Sequence, residues 1–231
     1  MPGELPHTAQ LSEEERAAIN GAIKRASQLK PFSDYQQPAL CSFLQPSQHF
    51  QGVQRVAHSG ASPTDEDWYV NVSIITSDFK AATVFGTMEA ENVPHTRSPV
   101  TTFWEGEIVD NIRNTFYTAK WGASADNDMK HWSKFPSFLE IKDDVRKFNG
   151  RCQALSTYPF IFMRWKEKYF LNASHESGLT IAGFYYVCLN RLTGTIMGYY
   201  YDPNSSPFQK LELHQKPQGT AGHSFADFAL L

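Results

Sequence analysis

The stretch Pro159-Phe160-Ile161-Phe162-Met163-Arg164-Trp165-Lys166-Glu167-Lys168-Tyr169-Phe170 decides how this chain is read. A period of two puts Arg164, Lys166 and Lys168 on one face and Ile161, Met163, Trp165, Glu167 and Tyr169 on the other. The run is therefore expected to be a strand whose single carboxylate points inward among large apolar side chains. An ionised carboxylate in a low-dielectric interior is costly unless a cation or hydrogen-bond donors compensate it. No basic residue of the run shares the face of Glu167, so its partner must come from elsewhere in the fold or from a ligand. Two readings follow: an internal salt bridge to a Lys or Arg of a neighbouring strand, or a pocket for a cation.

The surrounding sequence carries the same strand signal. Trp68 to Ile75 alternates through Val70, Val72 and Ile74, and further runs span Thr83 to Ala90, Val100 to Val109, Leu179 to Leu189, Thr195 to Tyr201 and Phe208 to Leu213. Gly86, Gly106, Gly183 and Gly198 fall inside these runs, where glycine permits the bulges and bends of a barrel wall. The short connection Asn190-Arg191-Leu192-Thr193-Gly194 predicts an antiparallel hairpin. One segment differs: Asp126 to Asn149 places Met129, Trp132, Phe135, Phe138, Leu139, Ile141 and Val145 at helical spacing around Pro136, predicting an inserted pair of short helices. At the other end of the chain, Ser12-Glu13-Glu14-Glu15 forms a capping-box pattern ahead of Ile19, Ala22, Ile23, Ala26 and Leu29, which predicts one amphipathic helix stopped by Pro31. The expected divisions are a helical N-terminal segment over 1–37, a β domain over 38–214, and a polar linker with an apolar tail over 215–231.

Composition narrows the function classes. The chain has 231 residues, enough for one well-filled core, and a formal charge of -3, which gives no electrostatic reason to expect nucleic acid or an anionic membrane. Aromatic residues make up 14% and cluster in short runs, which favours a β-rich core. Cys41, Cys152 and Cys188 form no close pair, so neither a disulfide framework nor a zinc site is signalled. Met1-Pro2-Gly3-Glu4 lacks the basic and apolar regions of a signal sequence, and no apolar run approaches the roughly 18 residues of a membrane span. The expected location is cytoplasmic, with nuclear or vesicle-associated forms as alternatives.

Motifs for catalysis are sparse. Glu105-Gly106-Glu107 places two carboxylates on one strand face about 7 Å apart, within the range of two-carboxylate glycosidases, and makes a glycoside hydrolase the alternative reading. The histidines form no metal-ligand spacing, and nucleophile-elbow and phosphate-loop motifs are absent, so no metal or cofactor is expected. Tyr185-Tyr186 and Tyr199-Tyr200-Tyr201 lie on strands expected near Glu167, and their hydroxyls can serve a buried carboxylate or a bound amine. An inward carboxylate ringed by aromatics describes a pocket for something small and positively charged.

Five separated motifs then point to a family: Val100-Thr101-Thr102-Phe103-Trp104-Glu105-Gly106-Glu107-Ile108, His131-Trp132-Ser133-Lys134-Phe135, Phe162-Met163-Arg164-Trp165-Lys166-Glu167, Gly183-Phe184-Tyr185-Tyr186-Val187-Cys188 and Gly198-Tyr199-Tyr200-Tyr201. In this order, from about Phe50 to Leu213, the chain resembles the vacuolar import and degradation family, which contains substrate receptors of the glucose-induced-degradation (CTLH-type) ubiquitin ligase. The resemblance implies an all-β fold, an eight-stranded antiparallel barrel with helical insertions. It also implies a non-enzymatic receptor that binds proteins with a free N-terminal proline, such as gluconeogenic enzymes, and presents them for ubiquitination and proteasomal degradation. Carried over to this chain, Glu167 takes the prolyl amine, Tyr185 is its hydrogen-bonding partner and Gln54 is a further polar contact. Tyr200 and Gln209 line the pocket and hold the peptide backbone, while Val93, Val100, Phe170 and Thr180 fall where mobile loops cover the first side chains. A secondary ammonium has two N–H donors and a fixed ring, so an acidic, aromatic, closed-ended pocket can select it by charge and shape. The apolar tail, with Phe225, Phe228, Leu230 and Leu231, is expected to dock onto the ligase's scaffold subunit, because leaving it in water is unfavourable. Removal of Met1 would expose Pro2-Gly3-Glu4-Leu5, itself an end of the type the family binds.

Overall fold

The computed structural model describes residues 10–28, 37–57, 66–93, 96, 98–172, 180–204 and 208–216. Eight strands succeed one another as an antiparallel meander: β1 His49–Ala57, β2 Glu66–Asp78, β3 Thr83–Glu91, β4 Val100–Ile108, β5 Phe160–Phe170, β6 Phe184–Asn190, β7 Ile196–Tyr201 and β8 Phe208–Gln215. β8 pairs back onto β1, so the sheet closes into a barrel, as the family resemblance implies. Closure pairs both edges of every strand and leaves no exposed sheet edge.

β1 was not among the runs legible from alternation. Its interior positions are Phe50, Gly52, Gln54 and Val56, and the glycine and glutamine in the middle erase the apolar signal. The structure explains the glycine: a Cβ at Gly52 would lie 1.9 Å from the Glu212 carbonyl oxygen of β8.

Two cores hold the molecule. The first fills the barrel, where Trp104 and Trp165 stack at 4.2 Å between ring centroids. Gly86 and Gly106 make room for this pair, since a Cβ on Gly86 would sit 2.4 Å from the Trp104 ring and one on Gly106 would sit 2.8 Å from Trp165. Beyond the two indoles, Ile74, Val84, Ile108, Ile161, Leu189 and Ile196 pack the barrel toward one end, together with Leu44 from a short 3-10 turn. Fully buried side chains of this size contribute about 1.5–3 kcal/mol each.

The second core lies outside the wall, where Phe160, Phe162, Phe184, Tyr186 and Tyr199 meet α1 (Glu13–Ser27), α2 (Ala125–Trp132), α3 (Pro136–Leu139) and α4 (Lys142–Lys147). β6 is consequently buried along its whole length, and Arg164 on the outer face of β5 is only 1% exposed. Its guanidinium donates to Glu107 and to the Thr115 carbonyl. α1 begins where expected, with Ser12 accepting from the Glu15 amide and Glu15 accepting from the Ser12 amide. The insertion holds three helices rather than two. Pro136 opens α3 at a position where its missing N–H costs nothing, and Ile141, with φ -119° and ψ 2°, separates α3 from α4.

Strand β5 departs from strict alternation at one place. Trp104 pairs with Glu167 but Phe103 pairs with Tyr169, so Lys168 is an extra, bulged residue. Tyr169, expected inside with Glu167, is turned outward and stacks on Phe103, while Phe170 returns to the interior.

Candidate functional site

The barrel is filled at one end and hollow at the other. The hollow end is built from the C-terminal ends of the odd-numbered strands and the N-terminal ends of the even-numbered ones, and it encloses a cavity of about 510 Å³. All of the residues expected at a ligand site line this one space. Gln54 comes from β1, Glu167 and Phe170 from β5, Tyr185 from β6, Tyr200 from β7 and Gln209 from β8. Val93 and Val100 flank the β3–β4 connection, and Thr180 follows β5 on the chain segment leading to β6.

Glu167 faces inward next to the Trp104–Trp165 floor. Its Oε1 accepts a 2.6 Å hydrogen bond from Thr102 Oγ1. No Lys, Arg or His of the described residues forms an ion pair with it, so no internal salt bridge among them accounts for its burial. The carboxylate opens onto the cavity yet lies deep among protein atoms, and this burial raises its pKa above the usual carboxylate range. The Thr102 hydrogen bond and the positive charge of Lys166 act in the opposite direction. Lys166 itself points out of the barrel and donates Nζ to the carbonyls of Ile181, Ala182 and Gly183, tying down a segment whose Thr180, Ile181 and Ala182 line the cavity.

Tyr185 was expected to hydrogen-bond Glu167. Its hydroxyl instead donates to Gln54 Oε1 at 3.0 Å, and Gln54 Nε2 donates to Gln209 Oε1 at 2.6 Å. Thr102 stands on β4 two residues from Trp104, the partner of Glu167, and reaches the carboxylate, whereas the Tyr185 hydroxyl is directed to Gln54 of β1. The relay fixes both ends of the Gln54 amide and leaves the Gln209 amide nitrogen without a partner among the described residues. Burial, reinforced by the Glu167 charge, raises Tyr185 well above the ordinary phenol pKa, so it stays a donor. The Tyr200 hydroxyl accepts from the Gly183 amide at 2.8 Å, and burial pushes its pKa up to about 12. Its own proton remains available to the cavity.

Several lining residues were not anticipated: Thr102, Trp68, Met88, Ala90, Asp202 and Asn204. Thr102 was legible, since Thr102, Trp104, Gly106 and Ile108 alternate into the barrel. The indole N–H of Trp68 is buried without a partner among the described residues.

The two-carboxylate alternative fails on geometry. Glu105 and Glu107 lie on the outer wall, opposite in direction to Trp104 and Gly106, and neither lines the cavity. Glu105 pairs with Lys168 at 3.1 Å, and Glu107 is held by Arg164 at 3.3 Å and by Lys120. Among the described residues, no three His, Cys, Asp or Glu side chains gather as a metal site. Phe225, Phe228, Leu230 and Leu231 of the apolar tail lie outside the described residues, as does the Pro2-Gly3-Glu4-Leu5 segment.

Comparison with known sequences gives this arrangement a lineage. The family described as vacuolar import and degradation protein matches residues 43–216, a span that contains every cavity residue named above. The chain belongs to this family. The chain is similar to the glucose-induced degradation protein 4 homolog of Mus musculus, 32% identical over 191 residues, covering 80% of this chain and 84% of the mouse protein. The GID complex substrate-recognition subunit 4 of Schizosaccharomyces pombe is 30% identical over 188 residues, covering 77% of this chain and 92% of that one. The GID complex substrate-recognition subunit 10 of the same yeast is 36% identical over 168 residues, covering 67% of this chain but 29% of the relative. The match therefore spans most of the first two relatives and under a third of the last.

Proposed function

We propose that this chain is a substrate-recognition subunit of a GID-type multisubunit ubiquitin ligase, and that its barrel cavity captures the free N-terminal proline of target proteins. Family membership and the names of its relatives support the receptor role. The observation that carries the ligand assignment is Glu167, a buried carboxylate at the bottom of an open cavity with a hydroxyl donor but no cationic partner among the described residues. A ligand cation supplies what the fold withholds. Thr102 occupies Oε1, so Oε2 is free to take an N–H of a secondary ammonium, and the rings of Tyr185 and Tyr200, 4.9 Å apart, offer apolar surface to the pyrrolidine. Gln209 and the Tyr200 hydroxyl are placed to meet the first peptide groups. The chain itself performs no transfer chemistry in this reading, and the apolar tail from Phe225 to Leu231 engages a scaffold subunit of the ligase.

Calorimetric titration with peptides that begin with proline, beside the same peptides acetylated at the prolyl nitrogen, tests the assignment. Free-amine peptides are expected to bind and acetylated ones not to. Equal binding of both forms would overturn it.

A further inference from the structure

Resting on the N-terminal-proline reading, we infer that the cavity has a second cationic subsite at Asp202, which selects ligands carrying a lysine or arginine at the second or third residue. The described wall of the cavity contains two carboxylates, Glu167 and Asp202, and no Lys, Arg or His. A single terminal ammonium neutralises one of them. The second faces the same space and is left open to a ligand cation.

The placement of Asp202 fits a role distinct from that of Glu167. β5 and β6 are in register at Trp165 and Tyr185, and β6 and β7 at Tyr185 and Tyr200. Two residues farther toward the mouth stand Glu167 on β5 and Asp202, the residue that follows β7. The two carboxylates therefore lie level with each other, two strands apart, which at roughly 4.8 Å per strand separates them by about 10 Å. An extended peptide rises about 3.3 Å per residue, so with its amine on Glu167 a long basic side chain from the second or third residue reaches Asp202.

The carboxylate is also held ready. Its Oδ1 accepts from the Asn204 amide at 2.9 Å, an Asx turn that fixes the side chain, while Oδ2 has no partner among the described residues. Lys166 donates its ammonium to three carbonyls of the wall and forms no ion pair with Asp202, so its charge acts on the carboxylate only from a distance. Asn204, also lining the cavity, adds a neutral acceptor beside it.

The test is a series of short peptides beginning Pro-Ser-Ser, with lysine or glutamate substituted at the second or third residue, titrated into the wild type and an Asp202→Asn variant. Asparagine keeps the oxygen that accepts from the Asn204 amide, so the turn survives the loss of charge. In the wild type, lysine at one of the two positions is expected to tighten binding about three- to tenfold over serine, and glutamate to weaken it. In Asp202→Asn the lysine-to-serine ratio is expected to fall to within about twofold, and in the wild type it should shrink as salt rises. A flat charge series in a wild type that binds the serine peptide overturns the Asp202 subsite alone, as does a lysine preference undiminished in Asp202→Asn. If no proline-initiated peptide binds, the proline reading falls and the subsite falls with it.

Discussion

Thr102 and Glu167 stand on neighbouring strands of the barrel, and the threonine hydroxyl donates to the carboxylate at 2.6 Å. This contact sets the rotamer of the acid and opposes the effect of its burial. Removing it with Thr102→Val should raise the Glu167 pKa further. Affinity for a proline-initiated peptide is expected to drop roughly 5- to 10-fold at neutral pH, in line with about 1–1.5 kcal/mol for one hydrogen bond. The pH at which binding is half lost should also move upward, because protonation of Glu167 abolishes its charge earlier on acidification. An affinity–pH profile of the valine variant checks both, and an unshifted profile would speak against the role given to Thr102.

Glu167→Gln separates function from stability. Loss of the charged partner is expected to weaken peptide binding by roughly 2–5 kcal/mol. The free protein should be at least as stable as the wild type. Burial raises the folded-state pKa of Glu167, so between the ordinary carboxylate value and the raised one the unfolded chain has lost its proton while the folded chain keeps it. Stability therefore falls as pH rises through that window, and the deficit persists above it. Urea unfolding at acidic and neutral pH should show a larger decline in the wild type than in the glutamine variant, in which the burial-raised Asp128 still contributes. A glutamine variant markedly less stable at neutral pH would indicate a structural partner for Glu167.

Lys166→Met removes the donor to the carbonyls of Ile181, Ala182 and Gly183, together with a positive charge that acts on Glu167. The wall segment at Thr180 to Ala182 should loosen. The expected outcome is a roughly 3- to 10-fold faster peptide dissociation with a nearly unchanged association rate, read by stopped-flow fluorescence. Equal dissociation rates would show that this tie is dispensable.

Gly86→Ala tests the packing of the tryptophan floor. The added methyl would lie 2.4 Å from the Ser73 carbonyl oxygen and from the Trp104 ring, so a cost of at least about 1–3 kcal/mol is expected in thermal or urea unfolding. Gly198→Ala is the contrast: its Cβ would approach the Leu211 Cβ at 3.3 Å, a tight contact but not an overlap, and should cost less than Gly86→Ala.

Much of this was legible in the residues, and the failures have physical causes. The inward direction of Glu167 followed from period-two spacing alone because β5 is regular up to that residue. One position later the bulge at Lys168 reverses the parity, and so Tyr169 was assigned to the wrong face. β1 escaped notice because a close backbone contact requires Gly52 and the cavity relay requires Gln54, so two interior positions carry no apolar signal. The polar face of β5 suggested solvent, yet Phe160 and Phe162 on that same side lie beneath the helices, and Arg164 is buried with them. Strand number, closure and the pairing of Gln54 with Gln209 came from resemblance or from the structure, since contacts between residues so distant in sequence leave no local trace.

The stacked indoles of Trp104 and Trp165 have a consequence beyond stability. They block the lumen, so a polypeptide entering at Tyr200 and Gln209 cannot pass through and leave at Leu44. A tube open at both ends would admit any extended stretch of chain, and an open sheet would let a strand pair along its edge. Among the described residues this barrel presents neither a free edge nor a through-channel. On the reading proposed above, only the tip of a chain would reach this floor, so that each proteolytic cut, by creating a terminus, would also create a ligand.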